Sequence, residues 1–183
     1  MVTQTPWYLV LVNRDNPIPE NWEVELVEVS GGQTVDTRIY EPLMEMFEAA
    51  RSINMDQLPN VESGYRSIEK QRILWDQKLS EFMAEGYTGQ EARDLTGKWV
   101  SIPGTSEHQL GLAVDISGAV YDIYPWLQEN SHKYGFVLRY PTDKTAATGV
   151  APEEWHYRYV GVEAATEMYE QGLCLEEYLD QLE

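Results

Sequence analysis

Four side chains in this sequence have the types and the spacing of a hydrolytic metal site. His108 and Asp115 lie seven positions apart in SIPGTSEHQLGLAVDIS (Ser101–Ser117), with Gly111 between them. His156 lies in EEWHYRYVG, with Glu153 three positions before it. Imidazole and carboxylate are ordinary zinc ligands, and three protein ligands leave a fourth tetrahedral position open to water. Zinc brings the pKa of such a water down to about 7, so a carboxylate such as Glu153 can take its proton at neutral pH. The same carboxylate can then pass the proton to a leaving amine. Spacing alone is a weak signal, because a loop histidine followed by a strand-end aspartate looks the same. Glu154 also competes with Glu153 for the role of base, and the helical HExxH pattern is absent. The third histidine, His132 in ENSHKYG, falls at a helix end, where a cap or an exposed side chain is the simpler reading.

The elements that would carry these residues can be read from periodicity. Leu112–Ile116 reads as a strand with Ala113 and Asp115 on one face and Leu112, Val114 and Ile116 on the other. Asp115 can then look into a cleft while its neighbours enter a core. Gly135–Tyr140 and Trp155–Val160 read as two further strands, with Glu153 leaving a loop held by Pro152. Trp155 and Tyr157 would point away from His156 and pack in the core. Val61–Tyr65 reads as a strand delivering Arg66, and Ser67 can cap a helix over Ile68–Glu85. The apolar face of that helix would hold Ile68, Gln71, Leu74, Trp75, Leu79 and Phe82.

Further from the motif, Tyr8–Val12 and Trp22–Ser30 read as strands and Thr34–Ser52 as a helix. Asp36 is a candidate N-cap there, and Ile39, Leu43, Met46, Phe47 and Ala50 form its core stripe. Pro42 blurs the start of that helix. A short helix is expected around Gln90–Leu95, another over Tyr121–Lys133 with Pro125 in its first turn, and two closing helices over Val162–Gln171 and Leu175–Leu182. Strands and helices mix without a βαβ rhythm or an internal repeat, which favours an α+β fold with an antiparallel sheet in a single domain.

Composition narrows the function classes. The formal charge is −18 over 183 residues, so nucleic acid is excluded as a partner, since phosphate binding needs clustered Lys and Arg. No apolar run approaches the ~20 residues of a membrane helix. Cys174 is the single cysteine, which removes both an internal disulfide and a Cys-rich zinc site. The first residues lack the basic and apolar regions of a secretion signal.

Ser106, His108, Gly111, Ala113 and Asp115 spell Ser-x-His-x-x-Gly-x-Ala-x-Asp. With Glu153-x-x-His156, SGYRS at Ser63–Ser67, Gln71 and YGFVLRYP at Tyr134–Pro141, the chain resembles the zinc D-alanyl-D-alanine carboxypeptidase family of VanY/LdcB type. The resemblance runs from Ser63 to Gly161; the first sixty residues carry no matching motif. It implies the hedgehog/D-Ala-D-Ala peptidase fold, one zinc ion on His108, Asp115 and His156, and Glu153 as the base. It also places Arg66 in the site, where a guanidinium can hold a substrate carboxylate or a developing oxyanion. Gln71 and Ser106 match peptide-contacting positions, with orientation of His108 as an alternative role for Ser106, and Tyr140 is a further pocket candidate. The implied substrate is a peptidoglycan stem peptide that loses its terminal D-alanine, by D,D- or by L,D-cleavage. A non-catalytic wall-peptide module and a lytic endopeptidase are the rival readings. The resemblance implies work outside the bacterial membrane by a monomer whose leader or anchor has been trimmed, with a cytoplasmic protein as the alternative.

Overall fold

The computed structural model describes residues 6–53 and 58–182. The strand expected over Tyr8–Val12 is not formed. A single 3-10 turn at Trp7–Leu9 leads into extended chain. The carbonyls of Tyr8 and Val10 accept hydrogen bonds from the Arg158 guanidinium at 3.1 and 2.9 Å, so a buried side chain takes acceptors that a neighbouring strand would use.

A hairpin follows. Strand β1 (Leu26–Glu28) pairs antiparallel with β2 (Thr34–Asp36), and Gly31 and Gly32 make the turn at φ +74° and +70°. Only the middle of the expected strand Trp22–Ser30 is therefore paired. Thr34 and Val35 are β-branched and go into this ladder, which delays the helix expected from Thr34. Helix α1 (Thr37–Ile53) is capped by Asp36, whose Oδ1 accepts from the Arg38 amide at 2.9 Å. Its stripe Ile39, Leu43, Met46, Phe47 and Ala50 is at most 1% exposed. Burial on this scale contributes roughly 1.5–3 kcal/mol for each large side chain. Pro42, inside the helix, removes one backbone donor without ending it.

The sheet that carries the site has four strands: β3 (Asn60–Ser63), β4 (Ala113–Ser117), β5 (Phe136–Tyr140) and β6 (Glu153–Tyr159). Their spatial order is β3-β4-β6-β5, and each neighbouring pair is antiparallel. Helices α2 (Ile68–Ala84) and α3 (Gly89–Thr96) connect β3 to β4, α4 (Ile123–Asn130) connects β4 to β5, and α5 (Thr145–Thr148) connects β5 to β6. Helices α6 (Val162–Gln171) and α7 (Leu175–Asp180) close the chain. This is the expected α+β architecture.

One face of the sheet presents Val61, Val114, Ile116, Phe136 and Tyr157 to the α1 stripe and to Ile123 and Leu127 of α4. A second core joins Val137 and Val160 to Ala164, Ala165 and Met168 of α6 and to Leu175 and Tyr178 of α7. Pro125 is the third residue of α4, where its missing N–H costs nothing. The helix expected to run to Lys133 stops at Asn130, and a 3-10 turn over Ser131–Tyr134 ends at Gly135 with φ +83°. Helix α2 is capped by Ser67 as expected, its Oγ accepting from the Lys70 amide at 3.2 Å. It buries only Gln71 and Trp75, and Ile68 is 44% exposed, off the face expected for it. Among the described residues, no helix is long and apolar enough to cross a membrane.

Candidate active site

Strand alternation builds half of the site. Val114 and Ile116 enter the core, so Asp115 between them faces the other way. Antiparallel pairing sets Asp115 opposite His156 on β6 and Ser63 on β3. His108 arrives from a 3-10 turn, Glu107–Leu110, that ends at Gly111 with φ +75°. A Cβ on Gly111 would lie 2.9 Å from Val24 Cγ2 and 3.1 Å from the Asp36 backbone nitrogen. Only glycine fits this close, left-handed bend, which feeds the His108 turn into β4 beside the cap of α1.

The three expected ligands converge. Asp115 Oδ1 lies 3.3 Å from His108 Nε2 and 3.1 Å from His156 Nδ1. One ligand atom from each residue falls within 4.8 Å of the others. His108 Nδ1 donates to the Gly64 carbonyl at 2.8 Å, which leaves its Nε2 lone pair facing inward. Asp115 Oδ1 is buried and accepts no hydrogen bond. Acceptor atoms gathered in this way, with one buried oxygen unpartnered, fit a divalent cation bound by nitrogen and oxygen. Glu107 Oε2 faces His156 Nε2 at 3.5 Å.

Glu153 joins the cluster through a bulge. Leu138 pairs with Tyr157 and Tyr140 with Glu153, so β6 spends four residues where β5 spends two. The extra residues break alternation and put Glu153, Trp155 and His156 all on the cleft. Glu153 Oε2 comes to 3.4 Å from His156 Nδ1. Glu153 is thus the first residue of the strand rather than a loop residue ahead of it. Tyr157 is fully buried as expected, but Trp155 is 39% exposed and lines the cleft instead of the core. Glu154 sits at the surface, accepting from Tyr121 Oη at 2.6 Å.

The charges of the site are strongly coupled. Burial, helped by the carboxylates of Asp115 and Glu107, pushes the Glu153 pKa up to about 7 against the pull of His156 and Arg66. Burial opposes a charged His156, yet the carboxylates of Asp115 and Glu107 lying against its two ring nitrogens raise it to about 9. Burial also resists a charged Asp115, but His108 and His156 hold its pKa well below the usual carboxylate range. His108 is lowered, by burial first and by the positive charge of Arg66. The cluster thus draws positive charge toward the point where the ligand atoms meet, and a bound cation would displace the proton on His156.

Arg66 reaches the site directly after β3. Its Nε donates to Ser63 Oγ at 2.9 Å, its Nη1 to Gln71 Oε1 at 3.3 Å and its Nη2 to Asp115 Oδ2 at 2.8 Å. Nη2 also lies 3.0 Å from His108 Nε2. Gln71 is fully buried, with its Nε2 on the Ser101 carbonyl at 2.8 Å, so it steadies Arg66 and does not line the cleft. Ser106 does line it, and the Gly64 carbonyl, not Ser106, orients His108. Tyr140 packs its ring 4.9 Å from that of His156. His132 is remote from the cluster, stacked on Tyr169 at 4.0 Å. The cleft holds about 320 Å³, enough for the end of a peptide, and Trp99 and Trp155 form exposed aromatic walls.

Sequence reasoning missed Glu107, Trp99 and Trp155. A signal for Glu107 was present: Arg139 and Arg158 fall inside strands, and a buried arginine needs a carboxylate partner. No local pattern marks the bulge that turns Trp155 outward.

A small antiparallel sheet that offers two histidines, an aspartate and a buried glutamate to one cleft defines a metallopeptidase type of site. The chain belongs to the VanY family, D-alanyl-D-alanine carboxypeptidase, whose model matches residues 32–162. It is 53% identical to a D-alanyl-D-alanine carboxypeptidase of Enterococcus faecalis, over 95% of this chain and 66% of that protein. It therefore spans about two thirds of the length of that relative. The structure of VanYB in complex with D-alanine-D-alanine superposes with a TM-score of 0.92 at 52% identity, covering 97% of this chain and 100% of that one. A mutant of the D,D-pentapeptidase VanY from the VanB-type resistance cassette, in complex with Zn(II), matches with a TM-score of 0.89 at 53% identity, over 95% and 99% of the two chains. The fold implied by the motif resemblance is the fold observed.

Proposed function

We propose that this chain is a zinc D,D-carboxypeptidase that releases the terminal D-alanine of peptidoglycan stem pentapeptides. The observation that carries the reading is the meeting of His108 Nε2, Asp115 Oδ1 and His156 Nδ1 beside Glu153, inside a cleft that also holds Arg66. Zinc fits this donor set, and a relative at 53% identity is crystallised with it. When bound, the metal supplies Lewis acidity, polarising the scissile carbonyl and acidifying a water.

Glu153 takes the proton of the attacking water on a carboxylate oxygen and delivers it to the amine nitrogen of the departing D-alanine. Arg66 Nη2, beside His108 Nε2 and Asp115 Oδ2, is placed to meet negative charge growing on the carbonyl oxygen. Gln71 and Ser63 keep its guanidinium in that orientation. Ser106 and Tyr140 contact the peptide, and Trp99 and Trp155 exclude water from its flanks. D,D-cleavage is favoured over L,D-cleavage because a solved relative at 52% identity is in complex with D-alanine-D-alanine. We place the enzyme outside the cytoplasmic membrane as a monomer in one domain, where its substrate lies.

A general base beside the ligands argues against a module that binds wall peptide without cutting it. The deciding experiment incubates purified protein with a stem pentapeptide ending in D-Ala-D-Ala and with the corresponding tetrapeptide, and measures released D-alanine. Release from the pentapeptide that a chelator abolishes and zinc restores supports the proposal. Release from the tetrapeptide alone overturns the D,D assignment, and no release from either with zinc loaded overturns the enzymatic one.

A further inference from the structure

Glu107 is one of the most unusual side chains in the molecule. It is a carboxylate that is 2% exposed, one residue before a ligand, and its two oxygens are treated very differently. Oε1 accepts from Arg139 Nε at 2.8 Å and from Arg158 Nη1 at 2.9 Å. Oε2 is buried without a hydrogen bond and faces His156 Nε2 at 3.5 Å. The two arginines are themselves anchored far from the site. Arg139 is gripped by Glu176 of α7 through Nη1 to Oε2 at 2.8 Å and Nη2 to Oε1 at 2.7 Å. Arg158 holds the Tyr8 and Val10 carbonyls of the N-terminal segment and, through Nε at 3.0 Å, the Tyr159 carbonyl.

We propose that Glu107 is the positioning residue for His156, and that the two arginines, with Glu176 behind them, make helix α7 part of the metal site. The inference rests on His156 being a ligand, as read above. His156 Nε2 is likewise buried without a hydrogen bond, and because a carboxylate oxygen can only accept, a proton on Nε2 suits the facing Oε2 whereas a lone pair there would be repelled by it. That tautomer leaves the Nδ1 lone pair directed at Asp115 Oδ1 and the meeting point of the ligands. Two guanidiniums on Oε1 fix the plane of the carboxylate and keep it charged despite complete burial. Glu176 in turn fixes Arg139 by a two-point contact, so the orientation of a ligand imidazole depends on a helix about twenty residues further along the chain.

Glu107→Gln tests this sharply. The amide oxygen of the new side chain is drawn to the two arginines, which turns its NH2 toward His156 Nε2. A donor there favours the tautomer with its proton on Nδ1, the atom needed for metal. Zinc affinity, measured by competition with a chromophoric chelator, is expected to fall about 10–100-fold, the range typical of lost partners behind a ligand histidine. Glu176→Gln is expected to weaken zinc less, by roughly threefold or more, since it loosens Arg139 alone. In the zinc-loaded unaltered protein, the imidazole ¹H–¹⁵N spectrum should show a slowly exchanging Nε2–H on His156, and that signal should be lost in Glu107→Gln. A purely structural role for Glu107 would not move it. If Glu107→Gln melts cooperatively and keeps both zinc affinity and the Nε2–H signal, the inference is overturned. If Glu107→Gln does not fold, Glu176→Gln decides: affinity unchanged overturns the inference, and weakened affinity supports it. Failure of the unaltered protein to take up zinc would overturn the ligand assignment together with this inference, whereas equal affinity in all three proteins overturns this inference alone.

Discussion

Replacing Glu153 by glutamine tests the chemistry most directly. The amide has the size and shape of the carboxylate, so the cleft, the ligand atoms and the bulge that brings this side chain to 3.4 Å from His156 Nδ1 should all persist. What disappears is the ability to accept a proton. General acid–base catalysis contributes about 10²–10⁴ in rate. At about 1.36 kcal/mol per factor of ten, that is roughly 2.7–5.4 kcal/mol of barrier. We expect kcat for D-alanine release to fall by that factor while bound zinc stays near one per chain and KM changes only a few-fold. D-alanine is measured with a D-amino-acid oxidase coupled assay, and zinc by metal analysis of the same sample. Glu154→Gln is the internal control. Its carboxylate accepts from Tyr121 Oη on the exposed surface, so near wild-type turnover is expected. A Glu153→Gln enzyme that holds zinc and works within tenfold of wild type would refute Glu153 as the base, and a collapse in Glu154→Gln would move that role one residue along.

Arg66→Lys should keep a positive charge but lose the fork that reaches Ser63, Gln71 and Asp115 together, lowering kcat/KM about 10²–10³-fold with zinc retained; steady-state kinetics read it directly. Gly64→Ala drives a Cβ into the Thr34 carbonyl oxygen, a backbone atom that cannot swing away, and should cost about 1–3 kcal/mol by urea denaturation. Zinc affinity should drop with it, because the Gly64 carbonyl orients His108. Burial resists a charged Glu176, yet Arg139 holds its folded-state pKa below the ordinary carboxylate range. A depressed folded pKa contributes stability that is fully present above the unfolded value of about 4.3 and is lost progressively as pH falls through the folded value. The gap in melting temperature between wild type and Glu176→Gln should therefore be widest near neutral pH and begin to narrow below about pH 4; a gap that is unchanged by acid would show that the Arg139 clamp does not stabilise through charge.

Much of this protein is written locally in its sequence. Asp36 and Ser67 cap helices because their short oxygens meet free backbone amides, an effect confined to three or four residues. The α1 stripe follows from the helical period, and the facing of Asp115 away from Val114 and Ile116 follows from the period of a strand. The motif around His108 and the Glu153–His156 pair point to the metal chemistry for the same reason, since ligand type and spacing lie within short segments. Tertiary structure decided what depends on residues far apart in the chain. Tyr8–Val12 has the composition of a strand, but the guanidinium of Arg158, some 150 residues away, takes its carbonyls. Thr34–Asp36 joins a ladder rather than a helix because β1 is there to pair with it. The bulge opposite Leu138 and Tyr140 exists only once β5 and β6 are in register, and it turns Trp155 out to the cleft and draws Glu153 in. Glu107 looks like any surface glutamate until Arg139 and Arg158 fold over it, because a buried charge is stable only with partners that the chain brings from elsewhere.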